Sequence, residues 1–120
     1  MSLVCSAFEG GSNYWCKIKG YVRPENAKAP TREWYGLKLA RFPHIWLPFS
    51  DGGGVECIED CGEGGEPVEH LLNRAAIERG LKLMAEKQGR HWGNFLSGND
   101  DAITGDVFLQ MCILGEVKYG

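Results

Sequence analysis

Four carboxylates stand near the two ends of the 120-residue chain, Glu9 early and Asp100, Asp101 and Asp106 late. Carboxylates brought together can hold Mg²⁺ and set it against a phosphate or a scissile bond, the chemistry of a metal-dependent hydrolase. That use requires the first segment to dock on the last. A plainer use competes with it. Asp100 and Asp101 sit where a helix needs an N-cap, because a side-chain oxygen there accepts an orphan backbone N–H. Asp106 precedes Gln110 by one helical turn, so the two share a face and can bond each other. Glu9 is then an ordinary salt-bridge or hydrogen-bond partner. The plainer use is preferred, since buried polar groups usually have local partners. On that reading Asp106→Asn is near neutral, or costs about 1 kcal/mol.

Other constellations are thinner. Cys57 and Cys61, with His44 and His70, supply zinc donors, but structural zinc sites show two compact ligand pairs and here one loose pair borders a glycine-rich loop. No histidine has a serine or aspartate at motif spacing, and no P-loop or GxGxxG follows a strand. Trp15, Lys17, Lys19 and Tyr21 alternate, and as a strand they share one face, with Arg23 continuing it. Such an aromatic and basic stripe is how single-strand binders present a stacking platform. The net charge of −3 speaks against a strong nucleic-acid footprint. The charge is uneven, with seven basic residues against three acidic over residues 1–50 and six against thirteen over residues 51–120. That asymmetry permits head-to-tail attraction between subunits. No catalytic residue, cofactor or metal ligand is assigned.

The elements that position these residues follow from patterning. Ile103, Val107, Met111 and Leu114 keep helical spacing, and Phe108, Cys112 and Ile113 widen the stripe until the helix is apolar nearly all round. This predicts a buried helix over 101–114, capped by Asn99, Asp100 or Asp101 and closed by Gly115. A second, amphipathic helix is predicted over 73–88, with Asn73 as N-cap, Leu72 and Ile77 as a hydrophobic staple, and a row at Ile77, Leu81, Met84 and Gln88. Leu3 to Phe8 reads as a short helix closed by Gly10 and Gly11, too short to stand without docking. Tyr14 to Val22 alternates as a strand. Trp15 falls on its more polar face, either covered by another element or exposed in an interface. Residues 32–41 are ambiguous, with Tyr35, Leu37 and Leu39 favouring a strand. Pro43 and Pro48 bracket His44-Ile45-Trp46-Leu47, which is read as an edge strand at most. Ser50 to Gly54 is a hairpin-type turn, Val55 to Glu59 its return strand with Val55, Cys57 and Glu59 on one face, and residues 60–67 an acidic loop. Residues 90–96 form a short turn, with Trp92, Phe95 and Leu96 packing inward.

The expected fold is therefore α+β in a single domain over 1–120, with a small antiparallel sheet of about three strands packed by the two main helices and the short N-terminal helix. No apolar run approaches the 18 or so residues of a membrane span, and no signal peptide is visible. Five cysteines at irregular spacing suit reduced thiols in a cytosol.

Two segments carry a resemblance. Glu9-Gly10-Gly11-Ser12-Asn13-Tyr14-Trp15 reads as EGG-x-NYW. Asp101-Ala102, Asp106, Gln110 and Gly115-Glu116-x-x-Tyr119-Gly120 read as DA-x3-D-x3-Q-x4-GE-x2-YG. Together they resemble the two ends of small phage and prophage proteins. In those proteins an aromatic stands where Leu114 does here, and the middle is shorter. The resemblance implies a phage-encoded protein of the host cytosol and supplies no activity. It draws attention to Glu9, Asn13, Trp15, Asp101, Asp106 and Gln110 as a common surface. The function expected is a non-enzymatic interaction module, a homo-oligomer and specifically a homodimer, that binds a phage or host protein. Single-stranded nucleic-acid binding through Trp15, Lys17, Lys19 and Tyr21, or carboxylate–metal hydrolysis, are the alternatives.

Overall fold

The chain is organised around its last helix. The computed structural model describes residues 1–31, 33–34, 37–62, 64–99 and 101–120. The strand reading at Tyr35 and the capping and metal-binding roles of Asp100 fall outside them. Helix α5 spans Ala102–Ile113, and its N-cap is Asp101, whose carboxylate accepts the Thr104 N–H at 2.9 Å. Gly115 takes φ +77°, and its N–H returns to the Gln110 carbonyl at 3.1 Å, the left-handed closure expected of a glycine there. Residues 104–112 are buried without a break. Ile103 departs from the predicted stripe. It lies one turn too early to be covered and is 66% exposed.

Two helices reach α5 at glycines. The N-terminal helix α1 (Ser2–Ser6) runs on through a wider turn at Ala7–Gly11 and lies against α5 at Gly105. A Cβ on Gly105 would stand 2.8 Å from the Ala7 nitrogen and 3.0 Å from the Leu3 carbonyl oxygen. Helix α3 (Arg74–Lys87), capped by Asn73 through the Ala76 N–H, meets α5 where a Cβ on Gly80 would come within 2.2 Å of the Cys112 Sγ. Small residues at both places let backbones approach closely. The docking of α1 is what so short a helix requires.

The sheet has the order β1–β4–β5, antiparallel throughout, with β1 at Cys16–Val22, β4 at Gly54–Glu59 and β5 at Val68–Leu72. Val55, Cys57 and Glu59 of the central strand turn inward as their alternation predicts, and all three are buried. Between β1 and β4 come a two-residue ladder, β2 (Glu33–Trp34) with β3 (Leu37–Lys38), and a short helix α2 (Pro43–Trp46) followed by a tight turn at Leu47–Phe49. Helix α4 (Gly89–Leu96) joins α3 to α5. Among the described residues this is an α+β fold of a three-stranded sheet and five helices.

Several local expectations are corrected. Residues 44–47 are helical, not an edge strand. Pro43 occupies the first helical position, where a missing N–H costs nothing and φ is already set, so it starts a helix instead of bounding a strand. Ile45, Trp46 and Leu47 all join buried structure. The turn at Ser50–Gly54 consequently leads from that helical piece into β4 and closes no hairpin. The third strand is Val68–Leu72, which ends beside the start of α3; its sequence, VEHLL, alternates too weakly to announce a strand. Residues 89–96 form two helical turns, and Leu96 is 68% exposed while Trp92 and Phe95 pack on the core. Lys19 is the extra residue of a bulge in β1, between Ile18 and Gly20, so the assumed strict alternation of Lys17, Lys19 and Tyr21 does not hold.

Candidate functional site

Asp106 sits in the middle of α5 and gathers the N-terminal segment onto it. Its Oδ1 accepts Ser12 Oγ at 2.8 Å and Trp15 Nε1 at 2.6 Å. Its Oδ2 accepts Tyr14 Oη at 2.6 Å and Gln110 Nε2 at 3.2 Å. The expected Asp106–Gln110 pair is therefore present, as one arm of a larger network. Ser12 follows the kink at Gly10, whose φ of 153° favours glycine, and Gly11 packs so closely that a Cβ would fall 2.2 Å from the Ala102 carbonyl oxygen. These glycines bring Ser12, Tyr14 and Trp15 within bonding distance of a residue more than ninety positions away.

Gln110 holds the other end. Its Oε1 accepts the backbone N–H groups of Lys118 at 2.8 Å and Tyr119 at 2.9 Å, and its Nε2 donates to the Tyr119 carbonyl at 3.0 Å. The tail so fixed stacks the Tyr119 ring on Trp15, with centroids 5.4 Å apart and planes 14° from parallel. The Tyr119 hydroxyl donates to a second buried carboxylate, Glu59, which also accepts His70 Nε2 at 2.9 Å and Lys118 Nζ at 3.0 Å. Burial alone would raise the Glu59 pKa. The bonds from Tyr119, His70 and Lys118, with the Lys118 charge, overcome that and bring it down to about 2. The Tyr14 hydroxyl moves the other way, up to about 12, through burial of its hydroxyl end and its bond to the Asp106 carboxylate.

Over this network lies a cleft of about 520 Å³, lined by Gly10, Gly11, Tyr14, Ala102, Ile103, Asp106 and Gly120. Every lining residue belongs to one of the two end segments. The Tyr14 and Ile103 side chains stand on its walls, 55% and 66% exposed, and Asp106, 8% exposed, lies at its floor.

The six residues singled out from the sequence divide into two sets. Trp15, Asp106 and Gln110 are buried and form the network, so they are not a surface. Glu9, Asn13 and Asp101 are exposed, and Glu9 bonds His44 Nε2 at 3.0 Å. Asp101 caps α5, which holds its carboxyl below its ordinary pKa through the Thr104 N–H. The three carboxylates thus serve three separate purposes. Among the described residues no group of three or more His, Cys, Asp or Glu is placed to hold a metal ion. The zinc donors are likewise dispersed. His70 faces Glu59, His44 faces Glu9, and Cys57 is buried beside Cys16, whose thiol contact and the burial together raise its pKa. The stacking platform loses its main aromatic, since Trp15 is 1% exposed, and Lys19 is paired with Glu69.

The sequence reading missed Ser12, Tyr14, Glu59, His70, Lys118 and Tyr119. One signal was present for Glu59, a carboxylate sharing an inward strand face with Val55 and Cys57, because a charge there needs buried partners. Ser12, Tyr14 and Tyr119 stand inside the two resembling segments and His70 among the zinc donors, but nothing local to them or to Lys118 pointed to this network. Compared with family models, with curated proteins and with solved structures, the chain matches none.

Proposed function

We propose that the chain is a non-enzymatic protein-interaction module, encoded by a phage or prophage, and that the cleft between its two ends receives a segment of a partner protein. The observation that carries this is the cleft's lining, drawn wholly from the end segments and seated on a network that fixes both. A site on a rigid, fully bonded floor loses little entropy on binding. A catalytic role fits the same residues poorly. All four acceptor positions of Asp106 are engaged, so it has no lone pair free to act as a base or metal ligand. The Tyr14 hydroxyl, with its pKa near 12, remains protonated at neutral pH and is a poor nucleophile. The resemblance of the end segments supports a search for the partner among phage and host proteins.

A displayed random-peptide library panned on the full chain tests the reading. Enriched peptides should bind the protein and lose binding to Ile103→Arg and Gly10→Val, which alter the wall and the kink of the cleft. Failure to enrich any sequence, or equal binding to both variants, would remove the cleft as the site.

A further inference from the structure

Asp106 is a nearly buried carboxylate whose four partners are all neutral: a serine hydroxyl, a tyrosine hydroxyl, an indole and a carboxamide. Among the described residues no lysine, arginine or histidine pairs with it. Ion pairs among the described residues are formed by other carboxylates, those of Glu9, Asp51, Glu59 and Glu69. Glu59 offers the contrast within the same molecule, for its charge is met by Lys118 at 3.0 Å. Buried charges are ordinarily paired with an opposite charge; here four neutral donors stabilise the carboxylate but leave its net negative charge in place. Asp106 lines the cleft, which is where a charged guest could approach it.

We infer that the cleft is a receptor for a single cationic side chain, a lysine or arginine presented by the partner protein. This rests on the interaction-module reading and names the chemistry of what enters. The rest of the cleft suits such a guest. The Tyr14 hydroxyl donates its proton to Asp106 and meets the Gln110 carboxamide, so one oxygen lone pair remains to accept an N–H. The exposed Tyr14 ring provides a π face for an ammonium or guanidinium. Ala102 and Ile103 supply apolar wall for the aliphatic stem, which Lys and Arg bury readily. Gly10 keeps one side clear, since nothing stands within 4 Å of the position its Cβ would take. An anionic guest would meet the Asp106 charge and is disfavoured, despite the glycine backbone at the rim. Low dielectric around the floor strengthens the attraction to a cation that enters.

The probes are N-acetyl-arginine amide, N-acetyl-norleucine amide, inorganic phosphate and putrescine, titrated one at a time into ¹⁵N-labelled full-length chain. The arginine amide should move the amide resonances of Gly10, Gly11, Tyr14, Ile103 and Gly120, and the shifts should shrink as salt is raised. Norleucine amide and phosphate should leave them in place. Ile103→Arg, at a solvent-exposed position that leaves the core intact, tethers a cation beside the cleft and should abolish the response. Tyr14→Phe should weaken it several-fold without unfolding the chain, and thereby reports on the site where Asp106→Asn disturbs folding. No response to arginine amide, or an equal one to norleucine amide or phosphate, overturns the inference. Putrescine binding more tightly than displayed peptides would also overturn it, in favour of a free polyamine. If the peptide library enriches sequences without an excess of Lys or Arg that still lose binding to the cleft variants, the cationic guest is refuted while the interaction module stands. If no peptide enriches and no probe shifts these amides, both fall.

Discussion

Replacing Gln110 by leucine should release the C-terminal tail while leaving the fold in place. Leucine is close to glutamine in size, so the change removes hydrogen bonds without opening a large cavity. Four bonds are lost, to Asp106, to the Tyr119 carbonyl, and from the Lys118 and Tyr119 N–H groups, at 2.8 to 3.2 Å. Each is worth roughly 0.5–1.5 kcal/mol net. Three of the four hold the tail, whose own groups regain water when it leaves, so the docking equilibrium shifts by about 1.5–3 kcal/mol, the lower half of their summed range. This corresponds to a factor of roughly 10 to 150 in the docked population. Trp15 loses the stacked Tyr119 at 5.4 Å, and Asp106 keeps three of its four donors. Amide hydrogen exchange at Lys118 and Tyr119 should accelerate by a factor of that order, and Trp15 emission should move to the red. Exchange in α3 should change far less, because α3 meets α5 at Gly80 and Cys112, on another face. Unaltered protection at residues 118 and 119 would show that Gln110 does not hold the tail.

Asp106→Asn should cost more than the sequence alone suggests, about 2–4 kcal/mol. Ser12 and Trp15 exchange charge-assisted bonds for neutral ones, and one amide N–H₂ group must face the Gln110 donor. Chemical denaturation checks this, and a loss under 1 kcal/mol would mean the network relaxes freely. Glu59 sets an acid limit. Its folded pKa of about 2 lies below the ordinary 4.5, so its contribution, of order 3 kcal/mol at most, is complete above pH 4.5 and fades as pH falls toward 2. Glu59→Gln should be less stable at neutral pH and flatten the loss of stability over that window; parallel pH profiles would refute it. Gly105→Val should prevent α1 from docking, since even a Cβ meets Ala7 and Leu3 backbone, and should lower the melting temperature by ten degrees or more. An unchanged melting temperature would contradict that packing. Self-association, if it uses the outer sheet face near Leu71, which is 44% exposed, should be reversed by Leu71→Lys in sedimentation velocity; a monomer for the unsubstituted chain at micromolar concentration removes it.

How much of this was legible depended on how local each cause is. The caps at Asn73 and Asp101 and the glycine closure at Gly115 are decided within four residues, and sequence reading located Asn73 and Gly115 and narrowed the second cap to Asn99, Asp100 or Asp101. The helix over 102–113 announced itself as buried because its apolar residues cover every face. The helical piece at Pro43–Trp46 was misread because one proline signal has two meanings, strand edge or first helical turn, and only the packing of Ile45 and Trp46 decides between them. Trp15 fell on the more polar face because alternation was counted from Tyr14, whereas the strand begins at Cys16; of the two outcomes weighed, covered or exposed, the structure shows the covered one, with a partner 91 positions away. Nothing near residue 15 records that partner. The cleft was beyond reach for the same reason, since its walls come from opposite ends of the chain.

The two ends depend on each other for their polar groups. Without the segment at Ser12 to Trp15, Asp106 would be a charge in an apolar helix with one neutral partner, Gln110. Without α5, the indole of Trp15 and the hydroxyl of Ser12 would be buried with nothing to accept them. Leaving a buried donor or acceptor unmet costs about 1–3 kcal/mol per group, so each end makes the other's burial affordable. Apolar contacts alone would tolerate several angles between α1 and α5. Four directional bonds to one carboxylate admit few, and they fix the spacing of Gly10 and Tyr14 from Ile103 across the cleft. A network built only for stability could have been replaced by well-packed apolar residues at little loss. On the proposal above, the network is kept in polar form because its carboxylate lines the cleft in which a guest would sit.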